Sequence, residues 1–240
     1  MQIVQRDPFS VMYLGMNESV APLQNLGVRQ AIEMAIDKDT IIHKFFIDNT
    51  SPASQFVPPK LSGFNNNAPS LGYDPGKAKE LLAKSGYKGE ELKFYYPLNV
   101  TRAYLPTPEK IYAEISAELT AIGLNIKPVP VNWDDGYLEK VQSPGDHALH
   151  LLGWNGAYSD PDNFVGTLFG DNNGEFGYSD PQVFSKIDRA RGLPTARTAI
   201  RSTRPSTPRS LPPSRQSRLP SPFRLWPCPT VLKSTPRRLS

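Results

Sequence analysis

Residues 153–164 read GWNGAYSDPDNF, the densest mixture of polar, acidic and aromatic side chains in the sequence. Asp160 and Asp162 look like a carboxylate pair, but Pro161 between them suits a turn that caps a following helix, and the structural role is the one we expect. His147 and His150 lie just upstream, three residues apart; on a strand that spacing sends them to opposite faces, which argues against a shared metal. No residues form a nucleophile–base–orienter set, and no glycine-rich loop has the spacing that cradles phosphate. The lone cysteine, Cys228, excludes an intramolecular disulfide and a thiolate cluster for zinc or iron–sulfur. The expected chemistry is that of a binding surface, with no enzyme activity, no catalytic residue, no cofactor and no metal.

The elements that must position this loop alternate between helix and strand. In VRQAIEMAID, residues Val28, Ala31, Ile32, Ala35 and Ile36 recur at helical spacing and form one apolar face. Asp39 is expected to cap a short helix, DTIIHKFF, before a loop from about Asn49 to Gly72. YDPGKAKELLAKSGY carries every helix signal: Asp74 as N-cap, Pro75 at the first position, Ala78, Leu81 and Leu82 inward, and Gly86 past the end. LKFYYPL reads as a strand, and Thr107 with Pro108 opens a helix striped by Ile111, Ile115, Leu119 and Ile122 that Gly123 stops. LNIKPVPVNW follows, a strand whose prolines suit an edge or a bulge. Strand, helix and strand make a βαβ unit with parallel pairing. Asp134 is expected to cap DDGYLEKV, and HALHLLGW reads as a buried strand that delivers the 153–164 loop. Loops beyond strand ends are where open α/β sheets bind ligands.

Charge divides the 240 residues in two. Overall, 27 Lys and Arg stand against 23 Asp and Glu, a net charge of +4. Residues 191–240 hold ten Arg, one Lys and no acid, a charge of +11, which leaves −7 for residues 1–190. The same segment holds ten of the 25 prolines and eight serines, too little apolar surface to offset the ordering entropy of a core, and we treat it as unfolded. No run of about 18 apolar residues exists to span a membrane. The opening MQIVQRDPFSVMYLGMN lacks the order of an export signal, so the chain as written is expected to stay in the cytosol.

Taken together and in order, VRQAIEMAID, YDPGKAKELLAKSGY, RAYLPTPEKIYAEISAELTAIGLNI and LLGWNGAYSDPDNF resemble the extracytoplasmic solute-binding proteins of bacterial ABC importers, in the oligopeptide and dipeptide family. The likeness runs from about residue 8 to residue 190. It implies an α/β fold, part of a type II-like periplasmic-binding-protein clamshell of two lobes that close on a ligand. Residues 1–16 would be an inter-lobe hinge strand, 17–150 the second lobe, 151–190 an incomplete return crossing, and 191–240 a disordered tail. The function implied is capture of a peptide or similar carboxylate-bearing solute for import, with a membrane permease as partner and no chemistry on the ligand. Intact members are periplasmic or lipid-anchored outside the cell membrane.

The resemblance also assigns ligand-binding roles to Arg102, Gly153, Trp154 and Asn155. Arg102 lies where dipeptide-binding members pair an arginine with the ligand carboxylate, a role that suits a guanidinium fork. Trp154 matches a cleft tryptophan able to present a flat apolar wall. Ala157 is a departure, because members with GWxGDxxDP place there an aspartate that pairs with the peptide amino group. The implied ligand carries a carboxylate, and the missing aspartate argues against a standard free dipeptide, which leaves a modified or N-blocked peptide, or another small anion, open.

The basic segment departs from the family, whose members continue with an apolar, alanine-rich stretch. Re-reading it with the last base of each preceding codon placed in front turns every TCN serine into Phe, Leu, Ile or Val and every proline into Ala, Ser, Thr or Pro. We therefore expect a frame lost near Ile200, and a chain that is a fragment. The alternative is a basic arm that binds nucleic acid or an anionic surface through charge. With only Phe223 and Trp226 as aromatics and no RNA-binding motif, nucleic acid is not the expected partner.

Overall fold

The structure, a computed structural model, describes residues 10–47, 50–192 and 231–234. A six-stranded mixed sheet runs in the order β2-β6-β1-β5-β3-β4. β1 (Ser10–Met16) is followed by α1 (Ala21–Gln24), α2 (Leu26–Ala35), α3 (Lys38–Phe45) and the two-residue β2 (Pro52–Ala53). Then come α4 (Pro75–Lys84), β3 (Glu91–Leu98), α5 (Pro108–Ala121), β4 (Asn125–Asn132), α6 (Tyr137–Gln142) and β5 (Leu149–Asn155). α7 (Val165–Phe169), α8 (Pro181–Arg191) and β6 (Val231–Ser234) complete the described elements.

The expected βαβ unit forms: β3 and β4 pair in parallel from Glu91–Asn125 to Leu98–Asn132, with α5 between them in sequence. β4 is an edge strand, where Pro128 and Pro130 cost no ladder hydrogen bond on the open side. β5 joins the other side of β3 in parallel, and β1 runs antiparallel to β5 from Ser10–Asn155 to Met16–Leu149. The sheet buries both faces. Met12, Leu14, Leu149, Leu151 and Phe94 pack on one side with Ala31 and Ile32 of α2, Ala78 and Leu82 of α4 and Ile111, Ile115 and Leu119 of α5. Val11, Tyr13 and Leu152 face the other way with Tyr137 and Val141 of α6, Leu168 and Phe169 of α7, and Phe56 and Phe176.

Helix starts follow the sequence with two corrections. Asp74 accepts a hydrogen bond from the Lys77 amide ahead of Pro75, as expected, and Gly86 has φ +81 just beyond α4. Asp39, however, lies in the first turn of α3; the cap is Asp37, whose carboxylate accepts from both the amide and the hydroxyl of Thr40. Asp134 does not cap a single helix either. It belongs to a 3-10 turn, Trp133–Asp135, and α6 starts only after Gly136, whose φ of +82 reverses the chain at a cost that other residues do not escape. The segment expected to be unfolded lies mostly outside the described residues. Its residues Val231–Ser234 do pair, as β6, between β1 and β2.

Candidate functional site

Three parallel strands, β3, β4 and β5, end on one edge of the sheet, and each releases a loop there. The first carries Arg102, the second starts at Trp133, and the third continues β5 through Trp154 and Asn155. Strand ends of β3 and β4 are braced by an amide chain. Asn99, at φ +56, donates from Nδ2 to Asn132 Oδ1 at 2.6 Å, and Asn132 donates to Asp135 Oδ2 at 2.7 Å.

Arg102 is held at both backbone and side chain. Its N–H donates to the Leu105 carbonyl and its carbonyl accepts from Leu105, at 3.1 and 3.0 Å, which closes a tight turn. The guanidinium carbon sits 4.7 Å from the centroid of the Trp133 ring. Trp133 stacks on Tyr137 at 5.8 Å and 25°, and the buried Tyr137 hydroxyl donates to the Leu151 carbonyl at 2.6 Å. Tyr104 completes the surround: burial raises its phenol pKa, while the charge of Arg102 and a hydrogen bond with it work in the opposite direction. No ion pair to Arg102 is found among the described residues, and the residue is exposed at the sheet edge. Beside it, an open cavity of about 370 Å³ is lined by Asn99, Thr101, Thr107, Glu109 and Lys110 among others.

The other residues singled out from sequence take different positions. Gly153 is buried beneath Tyr104; an added Cβ would lie 2.6 Å from the ring Cγ and 2.7 Å from the Val11 carbonyl oxygen. This glycine admits an aromatic neighbour that itself touches Arg102. Trp154 is half-buried between two apolar clusters, against Val57, Leu61 and Phe164 on one side, and its Nε1 is buried with no hydrogen-bond partner among the described residues. Asn155 is exposed, and its Oδ1 accepts from Ser10 Oγ at 2.6 Å across the β1–β5 pair. Ala157 donates its N–H to Asn163 Oδ1 at 2.7 Å, so Asn163 shapes this loop. Asp160 caps a short 3-10 turn through the Asp162 N–H, and Asp162 pairs with Arg191 at 2.8 Å, the structural roles expected for both.

The opposite-face placement expected for His147 and His150 is overturned. β5 begins only at Leu149, so His147 stands in the preceding turn and strand alternation does not apply to it. The two rings lie 5.4 Å apart and share Glu175: His147 Nε2 is 3.0 Å from its backbone oxygen and His150 Nε2 is 2.8 Å from Oε1. Tyr13 donates to the same Oε1 at 2.6 Å. Burial, then the neighbouring His150, lowers the His147 pKa; burial, then Glu175, raises that of Tyr13 well above a normal phenol. This buried network fastens the segment around Glu175 to the sheet, and no group of three or more ligating side chains among the described residues is arranged to hold a metal. Sequence reasoning missed Trp133, Tyr104 and Glu175.

The family model for bacterial extracellular solute-binding proteins, family 5 (middle region), matches residues 1–176. The chain belongs to this family. Heme-binding protein A of Haemophilus influenzae is 35% identical over 173 residues, which cover 72% of this chain and 31% of that protein. The dipeptide-binding protein of Escherichia coli is 33% identical over 168 residues, 70% of this chain and 31% of that protein. Among solved structures, HbpA2 from Haemophilus parasuis superposes with a TM-score of 0.74 at 27% identity, covering 82% of this chain and 39% of that one. Family 5 chains are extracellular solute-binding proteins. This chain spans about 31% of the length of these two curated relatives. No helix of the described residues is long and apolar enough to cross a membrane.

Proposed function

We propose that this chain is one lobe of the substrate-binding component of an ABC importer and receives a carboxylate-bearing solute at the ends of β3, β4 and β5. The observation that carries this reading is Arg102, fixed over Trp133 with no acidic partner among the described residues. Two relatives are named for a dipeptide and for heme, chemically distant molecules that share carboxylate groups. A guanidinium fork serves that shared group. Trp154 supplies an apolar wall, Gly153 admits the Tyr104 ring, and Asn155 extends the same edge.

In the intact parent, a second lobe would close over the ligand and the closed form would dock on a membrane permease, with no bond made or broken. The parent would act in the periplasm or on a lipid tether outside the cell membrane. The composition and charge of residues 191–240 support a frame lost near Ile200, which sequencing of the encoding DNA across that codon tests.

Ala157 refines the ligand, since that position offers no carboxylate to an ammonium group. Thermal shift with alanyl-alanine, N-acetyl-alanyl-alanine and the C-terminal amide of the latter tests both ends of the ligand. The acetylated acid is expected to raise Tm at least as much as the free dipeptide, and the amide to leave it unchanged. Stabilisation by the free dipeptide alone overturns the inference from Ala157, and equal stabilisation by acid and amide overturns the role of Arg102.

A further inference from the structure

We propose that Trp133 is a positioning residue whose indole face holds the Arg102 guanidinium where it can meet a ligand carboxylate. The inference rests on the carboxylate reading of Arg102 given above. Arg102 is exposed, and an exposed arginine that must be immobilised on binding loses rotamer freedom at that moment. Here that freedom is already restricted. The guanidinium carbon stands 4.7 Å from the Trp133 centroid, and Trp133 is itself fixed by stacking on Tyr137. Tyr137 is fully buried and tied through its hydroxyl to the backbone of β5. A continuous chain of contacts thus runs from the sheet interior to the charge at its edge.

The chemistry of the contact preserves the donors. A cation–π pairing uses the charge of the guanidinium against the ring quadrupole, so the contact with Trp133 consumes no in-plane N–H group, and only the hydrogen bond with Tyr104 draws on them. An acidic residue in the place of Trp133 would orient the arginine equally well but would take the donors and the charge that a carboxylate ligand needs. An aromatic partner therefore orients this arginine without competing for it.

The test uses the full chain with Trp133→Leu, Trp133→Phe and Arg102→Ala, alone and combined, and N-acetyl-alanyl-alanine with its C-terminal amide as probes. The Arg102 side-chain protons are expected upfield in the NMR spectrum of the parent through the indole ring current, and to lose that shift in Trp133→Leu. Affinity for the acid is expected to fall about two- to fivefold in Trp133→Leu, the range of an exposed cation–π contact. Trp133→Phe should retain most of it, and Trp133→Leu should add no further loss in the Arg102→Ala background. Absence of the ring-current shift overturns the proposal, as does an equal loss with and without Arg102. A parent chain that binds neither probe, or binds both equally, defeats the carboxylate reading together with this proposal. Binding that Arg102→Ala abolishes and Trp133→Leu leaves intact defeats the proposal alone.

Discussion

Replacing Gly153 by alanine sets two opposed effects against each other. Gly153 lies in β5 without a left-handed φ, so its backbone conformation suits alanine, and the loss of unfolded-state freedom alone would stabilise the chain by about 0.4–1 kcal/mol. The added methyl, however, has no room: it would sit 2.6 Å from Tyr104 Cγ and 2.7 Å from the Val11 carbonyl oxygen. The second contact decides the sign, because a strand carbonyl in the β1–β5 ladder cannot rotate away as a side chain can. Overpacking of this kind costs about 1–3 kcal/mol. Less the stabilising effect, the net cost is about 0–2.6 kcal/mol, which for a chain of this size lowers Tm by up to roughly 10 °C, at about 2–4 °C per kcal/mol. Urea unfolding of Gly153→Ala, Tyr104→Ala and the double variant measures it. The double variant should cost less than the sum of the singles, since removing the ring relieves one of the two contacts. A raised Tm for Gly153→Ala would refute the reasoning that the Val11 contact decides the sign.

Two further outcomes follow from capping and titration. Asp74→Ala removes the acceptor for the Lys77 amide and should cost about 0.5–1 kcal/mol, whereas Thr107→Ala, at a cap that makes no side-chain hydrogen bond, should stay within about 0.5 kcal/mol; paired urea titrations compare them. Glu118 is pushed up to about 7, chiefly by burial. Its folded pKa exceeds the unfolded one, so the contribution is full below the unfolded pKa and is lost as pH rises through about 7. Glu118→Gln keeps an acceptor for the Asp37 N–H and should gain stability over the parent at pH 8.5 relative to pH 5.5. A pH-independent difference between the two would show that Glu118 is not held protonated by the fold.

What the sequence reveals of this fold is what neighbouring residues decide. α4 is legible from end to end because Asp74, Pro75 and Gly86 each act on their own backbone, and no distant contact overrides them. The βαβ unit is legible for the same reason, since the apolar period changes from strand to helix and back within 42 residues, 91–132. Asp39 and Asp134 fail as caps because another signal stands within two residues: Asp37 competes for the same helix start, and Gly136 takes a left-handed conformation that Asp134 cannot bypass. The pairing of β1 with β5 links segments separated by more than 130 residues, and no local pattern encodes it.

The site divides along the same line. Arg102 and Trp154 are conspicuous as residue types, yet what makes Arg102 fit for binding is Trp133, 31 positions later and at the end of what reads as an ordinary edge strand. A rule was available to find it. Once two strands are read as adjacent and parallel, their following loops must emerge on one sheet edge, so the first side chains after β4 are forced beside the loop after β3. Applied to LNIKPVPVNW, that reasoning puts an indole next to an arginine before any coordinate is known. It does not reach Glu175, which meets His147 and His150 only through the folding-back of the chain after α7. The part of a binding site that topology places can be read from the sequence, and the part that loops place cannot.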